Sequence, residues 1–234
     1  MQNKVHNPSR TKQVLGVGMI LFAWVVIAVY SVFQIVYVND MYTNIFDGGV
    51  LRTVVSYQAE SDTRALGQVF AASVIHAHNP DETERQIALN ALMVEAQQIR
   101  TSLFIALDEY DLSVVIDPMQ TQAWVHARLE ITHSLRQHFE LISNHFLQEM
   151  FHYARIGDYN RTRSVFSESA APFFSLTDEV NHLIEISEIS MQNAFFHTQD
   201  TINATVMTIT AIGVMAIIGS IIVAFALVLP KRNY

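Results

Sequence analysis

Residues 14–38 read VLGVGMILFAWVVIAVYSVFQIVYV, and residues 204–229 read ATVMTITAIGVMAIIGSIIVAFALVL. Neither run contains a charged side chain, and each exceeds the roughly 20 residues that a helix needs to cross about 30 Å of hydrocarbon. A cleaved signal peptide is the rival reading of the first run. It requires an apolar core of about 7–15 residues and a small-residue cleavage site. This run is longer and ends in Phe33, Ile35, Val36 and Tyr37, with Tyr42 beyond it as a second amphipathic ring suited to the membrane interface. The sequence therefore predicts two transmembrane helices, 14–38 and 204–229, around a domain at 39–203, with tails at 1–13 and 230–234.

Charge orients this arrangement. Lys4, Arg10 and Lys12 precede the first run and Lys231 and Arg232 follow the second, with no acid in either tail. All 22 acidic residues lie between the runs, against nine arginines and no lysine, a net charge of −13. Basic flanks stay on the cytoplasmic side, so both termini are expected inside and the acidic middle outside, in a two-pass protein of the inner (plasma) membrane. The acidic surface also excludes nucleic acid as a partner, since that requires a basic footprint. The chain has no cysteine, so the middle domain must be held by packing, without disulfides or thiolate metal sites.

Glycine and proline punctuate that domain. Asn79-Pro80-Asp81-Glu82 reads as an N-cap, a proline at the first helical position and acids in the first turn, and Asp117-Pro118 repeats the signal. Gly157-Asp158 reads as a helix stop followed by a new cap. Three breaks leave four helices, at about 40–77, 80–114, 118–156 and 159–203. Leu89, Leu92, Ala96, Ile99, Leu103, Ala106 and Tyr110 recur at three- and four-residue steps, as do Thr132, Leu135, Phe139, Ile142, Phe146, Met150 and Tyr153. Phe166, Ala170, Phe173, Val180 and Ile184 give the fourth helix a rougher stripe, which Pro172 is expected to bend. Short connections make successive helices antiparallel. The fold class expected is all-α, an antiparallel up-down four-helix bundle continuous with two transmembrane helices. In the second run, Ala216, Ser220 and Ala224 form a small-residue ladder suited to close helix approach.

At the third junction, Ala154-Arg155-Ile156-Gly157-Asp158-Tyr159 leads into Arg163-Ser164-Val165-Phe166, Ala170-Ala171-Pro172-Phe173-Phe174, then Leu176, Val180 and Leu183. With the span–bundle–span layout, this resembles the sensory half of bacterial methyl-accepting chemotaxis proteins, over residues 14–230 in layout and over this short stretch in sequence. The resemblance implies a receptor for signal transduction in chemotaxis, not an enzyme and without a cofactor. It implies a homodimer through the first and fourth bundle helices and the membrane spans. The ligand-binding domain would take a small extracellular molecule, directly or on a binding protein, and signal by displacing the helix that enters the second span. Arginines on the first helix hold the ligand carboxylate in the amino-acid receptors of that family. Here the first helix offers only Arg52 and Arg64, about 120° apart around the helix axis, so one subunit cannot clamp a ligand with both. The 234 residues also carry neither the HAMP linker nor the cytoplasmic coiled coil of such receptors after Pro230. Two expectations follow: a truncated receptor, or a separate protein of the same sensory topology.

The histidines carry the alternative reading. Glu130-x-x-His133, Glu149-x-x-His152 and Glu179-x-x-His182 share a motif that builds di-iron sites when two helices supply it and two others each add a Glu. On that reading Glu130, His133, Glu179 and His182 bind metal, with Glu60 and Glu95 as further ligands, although Glu130 and His133 fall beside the seam of their helix. His138, His145 and His152 repeat every seven residues, about 10.5 Å apart along a helix, too far to share one ion. They are expected to flank the seam beside acids, and a row of imidazoles there suggests a pH sensor. Asp108, Glu109 and Asp111 form an acidic cluster that reads as a solvated face. A third reading is an accessory membrane protein with no ligand. Phosphate loops, serine elbows and metalloprotease motifs are absent from the sequence.

Overall fold

A computed structural model describes residues 8–116 and 122–228. The Asp117-Pro118 signal and the tail from Pro230 lie outside the described residues. The protein is all-α. Helix α1 spans Pro8–Asn44, α2 Leu51–Ala77, α3 Glu82–Ile116, α4 Gln122–Leu141, α5 Leu147–Arg155, α6 Tyr159–Glu168 and α7 Ala170–Val228. Wider π-helical turns at Ile45–Val50 and Ile142–Phe146 separate α1 from α2 and α4 from α5. The chain divides into two compact units, one made of its two ends and the other of Asn44–Ala194.

In the first unit, α1 and the end of α7 are long apolar helices. Their most apolar stretches have mean hydropathy 2.4, and no residue in them is buried within the chain. Phe22, Phe33, Met207 and Met215 all point outward. The two helices meet through a polar contact, in which Thr205 Oγ1 donates to Gln34 Oε1 at 3.4 Å while Gln34 Nε2 donates to Tyr30 Oη at 3.1 Å. The small-residue ladder is only partly used, with Ala216 and Ser220 half-buried and Ala224 exposed.

In the second unit, α2 to α6 and the first part of α7 pack antiparallel around one apolar core. Long-range contacts fix the directions. The start of α2 meets the end of α3, where Arg52 Nη1 donates to the Ser113 carbonyl at 3.2 Å. Arg136 of α4 reaches Asp108 and Asp111 near the end of α3, and Arg155 of α5 reaches Asn90 near its start. Ser56 and Tyr57 of α2 meet Ser187 and Glu188 of α7, while Gly67 lies against Phe173. The α3 stripe is in the core, with Leu89, Leu103 and Tyr110 fully buried and Leu92 half-buried. So is the α4–α5 stripe, with Thr132, Leu135, Phe139, Ile142 and Met150 buried.

Three boundaries differ from the sequence reading. Asp81, not Asn79, caps α3: its Oδ1 accepts the Thr83 and Glu84 amides at 2.8 and 3.1 Å, and Asn79 Oδ1 accepts the Asp81 amide. Pro80 therefore precedes the helix, because a carboxylate adjoining the first turn satisfies two of its amides at once. The fourth stripe is also shifted. The chain breaks at Ser169, so Pro172 falls in the first turn of α7, where its missing N–H leaves no helical bond unmade and no bend is required. Across that break Phe166 and Ala170 are exposed, and the buried positions are Thr162, Val165, Ser169, Leu176, Val180, Leu183 and Ser187. Finally, the third expected helix is interrupted by the π turn at Ile142–Phe146.

The α5–α6 junction follows its glycine. Gly157 takes φ +75°, the left-handed region that residues with a Cβ avoid. Its amide reaches the Ala154 carbonyl at 3.1 Å and the Asp158 amide reaches the Tyr153 carbonyl at 3.0 Å, the paired closure of a Schellman stop. Asp158 then caps α6 through the Arg161 amide at 3.0 Å.

Candidate functional site

The two arginines of α2 occupy opposite environments. Arg52 is 2% exposed and Arg64 stands at the surface. Gly48, in the π turn before α2, leaves the room that Arg52 uses, since a Cβ there would lie 3.3 Å from Arg52 Nη1. Arg64 pairs with Glu60 one turn earlier and lines a shallow hollow with Tyr57, Ser61 and Gln68. The side chains are therefore not brought together.

Arg52 belongs to a buried polar layer. Ser56 Oγ lies 3.0 Å from Ser187 Oγ, and Ser187 Oγ donates to Tyr110 Oη at 3.3 Å. Arg128 on α4 is 1% exposed, and its guanidinium stacks over Trp124 at 4.9 Å. Burial pushes the Tyr110 hydroxyl above its ordinary pKa; the Ser187 hydrogen bond and the positive charges of Arg128 and Arg52 pull it back. Two guanidiniums thus act on one buried hydroxyl. Their chemistry suits an anion, yet both are sealed inside the packing, so a ligand reaching Arg52 must part α2 from its neighbours. Sequence periodicity marked Tyr110 as core but gave no sign of Arg128, because an arginine is by default a surface residue.

Asp62 is a second buried polar group on α2. Gln58 Nε2 donates to its Oδ1 at 3.0 Å, while its Oδ2 is buried with no hydrogen-bond partner among the described residues. Burial raises its pKa above the ordinary 3.8, against the smaller lowering by its bonds to Ser102 and Gln58. An acid raised on folding makes the folded state bind the extra proton, so stability falls as pH rises through the interval above 3.8. Asp62→Asn is accordingly expected to stabilise the bundle by about 1 kcal/mol at pH 7. The difference should close as pH falls toward 4. Thermal denaturation at the two pH values checks this, and a variant less stable than the parent at pH 7 would count against it.

The acidic cluster of α3 is an anchor for α4. Arg136 donates to Asp111 Oδ2 at 2.6 Å and Asp108 Oδ1 at 2.7 Å, and Thr132 Oγ1 donates to Asp111 Oδ1 at 2.6 Å. The histidine motifs disperse. Glu130, His133 and His182 are exposed, and Glu179 is engaged by Ser134 and by His138 Nδ1 at 2.9 Å. Glu95 is exposed on α3 and Glu60 is taken by Arg64. Among the described residues no three His, Asp or Glu side chains converge as metal ligands. In the seven-residue row, among the described residues only His138 pairs with an acid; His145 and His152 lie against Phe146 and Tyr153. Comparison with protein-family models, curated proteins and solved structures finds no match to this chain.

Proposed function

We propose that the chain is a chemoreceptor-type sensor module, a two-pass membrane protein whose outer four-helix bundle detects a small molecule. On this reading α1 and α7 cross the bilayer through residues 14–38 and 204–229. Binding displaces α7, and the displacement is the signal. The observation that carries the reading is the course of α7. One uninterrupted helix holds the core positions Leu176, Val180, Leu183 and Ser187 and then an apolar stretch, reaching Phe225, whose most apolar part has no buried residue. Lipid is the solvent that suits a long apolar stretch in which protein buries no residue. The basic flanks and acidic middle support the same orientation. A homodimer through α2, α7 and the spans is part of the proposal, as is delivery of the ligand either free or on a binding protein.

Topology tests it directly, because the chain has no cysteine of its own. In intact cells a membrane-impermeant maleimide is expected to label Gln68→Cys, on the exposed side of α2. Ser9→Cys and Asn233→Cys should label only after the membrane is opened. Labelling of all three in intact cells, or release of the protein by alkaline carbonate, would defeat the two-pass reading.

A further inference from the structure

We propose that the groove between α3 and α5 binds an organic monocarboxylate with an apolar body, whose carboxylate pairs with Arg100 and Arg155. The groove encloses about 330 Å³, within the range of small-molecule sites. Antiparallel packing builds it, with Met93 and Arg100 of α3 facing Leu147, Phe151 and Arg155 of α5. The π turn at Ile142–Phe146 contributes Ser143 and Asn144 to one end.

Charge sets this place apart. The segment between the apolar runs carries −13, yet no Asp or Glu lines the groove, and two arginines and His152 do. The arginines are also under-used. Elsewhere on the bundle Arg136 is held by two carboxylates and Arg64 by one. Arg100 lies over the Phe104 ring at 5.5 Å and pairs loosely with Glu140 Oε1 at 3.6 Å, beyond good hydrogen-bond distance, and it makes no hydrogen bond among the described residues. Arg155 gives one Nη2 contact to Asn90 at 3.0 Å and another to the Met93 sulfur at 3.9 Å, while its Nε is buried without an acceptor. The terminal nitrogens of both guanidiniums keep donors for an incoming acceptor, and a carboxylate is the anion whose planar pair of oxygens matches a guanidinium edge. Met93, Leu147 and Phe151 supply apolar surface for a hydrocarbon body, which a bare inorganic anion would leave unused.

That occupancy of this groove is what the module senses rests on the proposed function; the binding itself does not. The test uses the full chain in lipid nanodiscs, titrated calorimetrically with hexanoate, with its neutral isostere hexanamide and with sulfate, empty nanodiscs serving as blank. Hexanoate is expected to bind, with hexanamide and sulfate at least about tenfold weaker. Arg100→Gln and Arg155→Gln should each weaken hexanoate by about tenfold or more. Arg155 also holds Asn90, so its variant is judged beside Arg100→Gln, whose loose surface ion pair contributes little to folding. Absence of hexanoate binding, equal binding of hexanamide or sulfate, or unchanged affinity in Arg100→Gln overturns the proposal. Cell labelling and titration fail separately. Loss of binding with intact topology removes the groove alone, and binding with the wrong topology removes the sensor reading alone.

Discussion

Phe139→Ala is expected to destabilise the bundle by about 3–5 kcal/mol, the largest loss anticipated for a single side chain here. Phe139 sits at the centre of the α4 stripe and is fully buried. Its ring meets Phe104 of α3 edge-to-face, centroids 5.9 Å apart, with Leu135 one turn before it and Ile142 one turn after. Truncation removes both transfer energy and that ring contact, and close-packed neighbours on two helices cannot collapse fully into the space. Phe174 supplies the control, because it is 74% exposed on α7. Phe174→Ala should change stability by no more than about 0.5 kcal/mol. Chemical denaturation of the two variants in the same detergent gives the comparison. Similar losses would mean that the core does not run where the contacts place it.

Gly157→Ala should cost about 1–2 kcal/mol, through the backbone. The left-handed conformation is strained for any residue with a Cβ, and the added atom would lie 3.3 Å from the Arg85 guanidinium. Arg85 has little freedom to retreat, since it is buried and donates to the carbonyls of Asn79 at 2.8 Å and Arg155 at 3.3 Å. One residue thereby couples two turns, that between α2 and α3 and that between α5 and α6. Gly157→Asn should cost less than alanine, because asparagine visits this conformation more readily. The expected order of melting temperatures is wild type, asparagine, alanine; alanine at the wild-type value would sink the argument.

Periodicity made the long stripes of α3 and α4–α5 legible, because each residue in them obeys the same local rule. Gly157 and Asp158 were legible for the same reason: left-handed backbone and amide capping depend on the residues beside them. What escaped the sequence depends on partners. The π turns at Ile45–Val50 and Ile142–Phe146 contain no proline, and their sequences do not announce a wider turn. The shift of the last stripe came from the break at Ser169, which moved Pro172 from a helix interior to a first turn. Arg52 owes its burial to Gly48 and the Ser113 carbonyl, and its spacing from Arg64 along one helix reveals neither. Arg100 and Arg155 belong to separate helices, and only antiparallel pairing sets them on one groove.

The serine contact between α2 and α7 has a mechanical consequence. Ser56 Oγ lies 2.7 Å from the Arg52 carbonyl and Ser187 Oγ lies 2.7 Å from the Leu183 carbonyl, each within its own helix. Each hydroxyl owns a single proton, so a bond across the seam borrows it from the carbonyl behind. One hydroxyl donates across the seam while the other keeps its own carbonyl, so if the helices slip a single proton returns to its own backbone and neither serine donor is stranded. The seam is a clutch that disengages without leaving an open bond, and its two faces remain intact to re-engage.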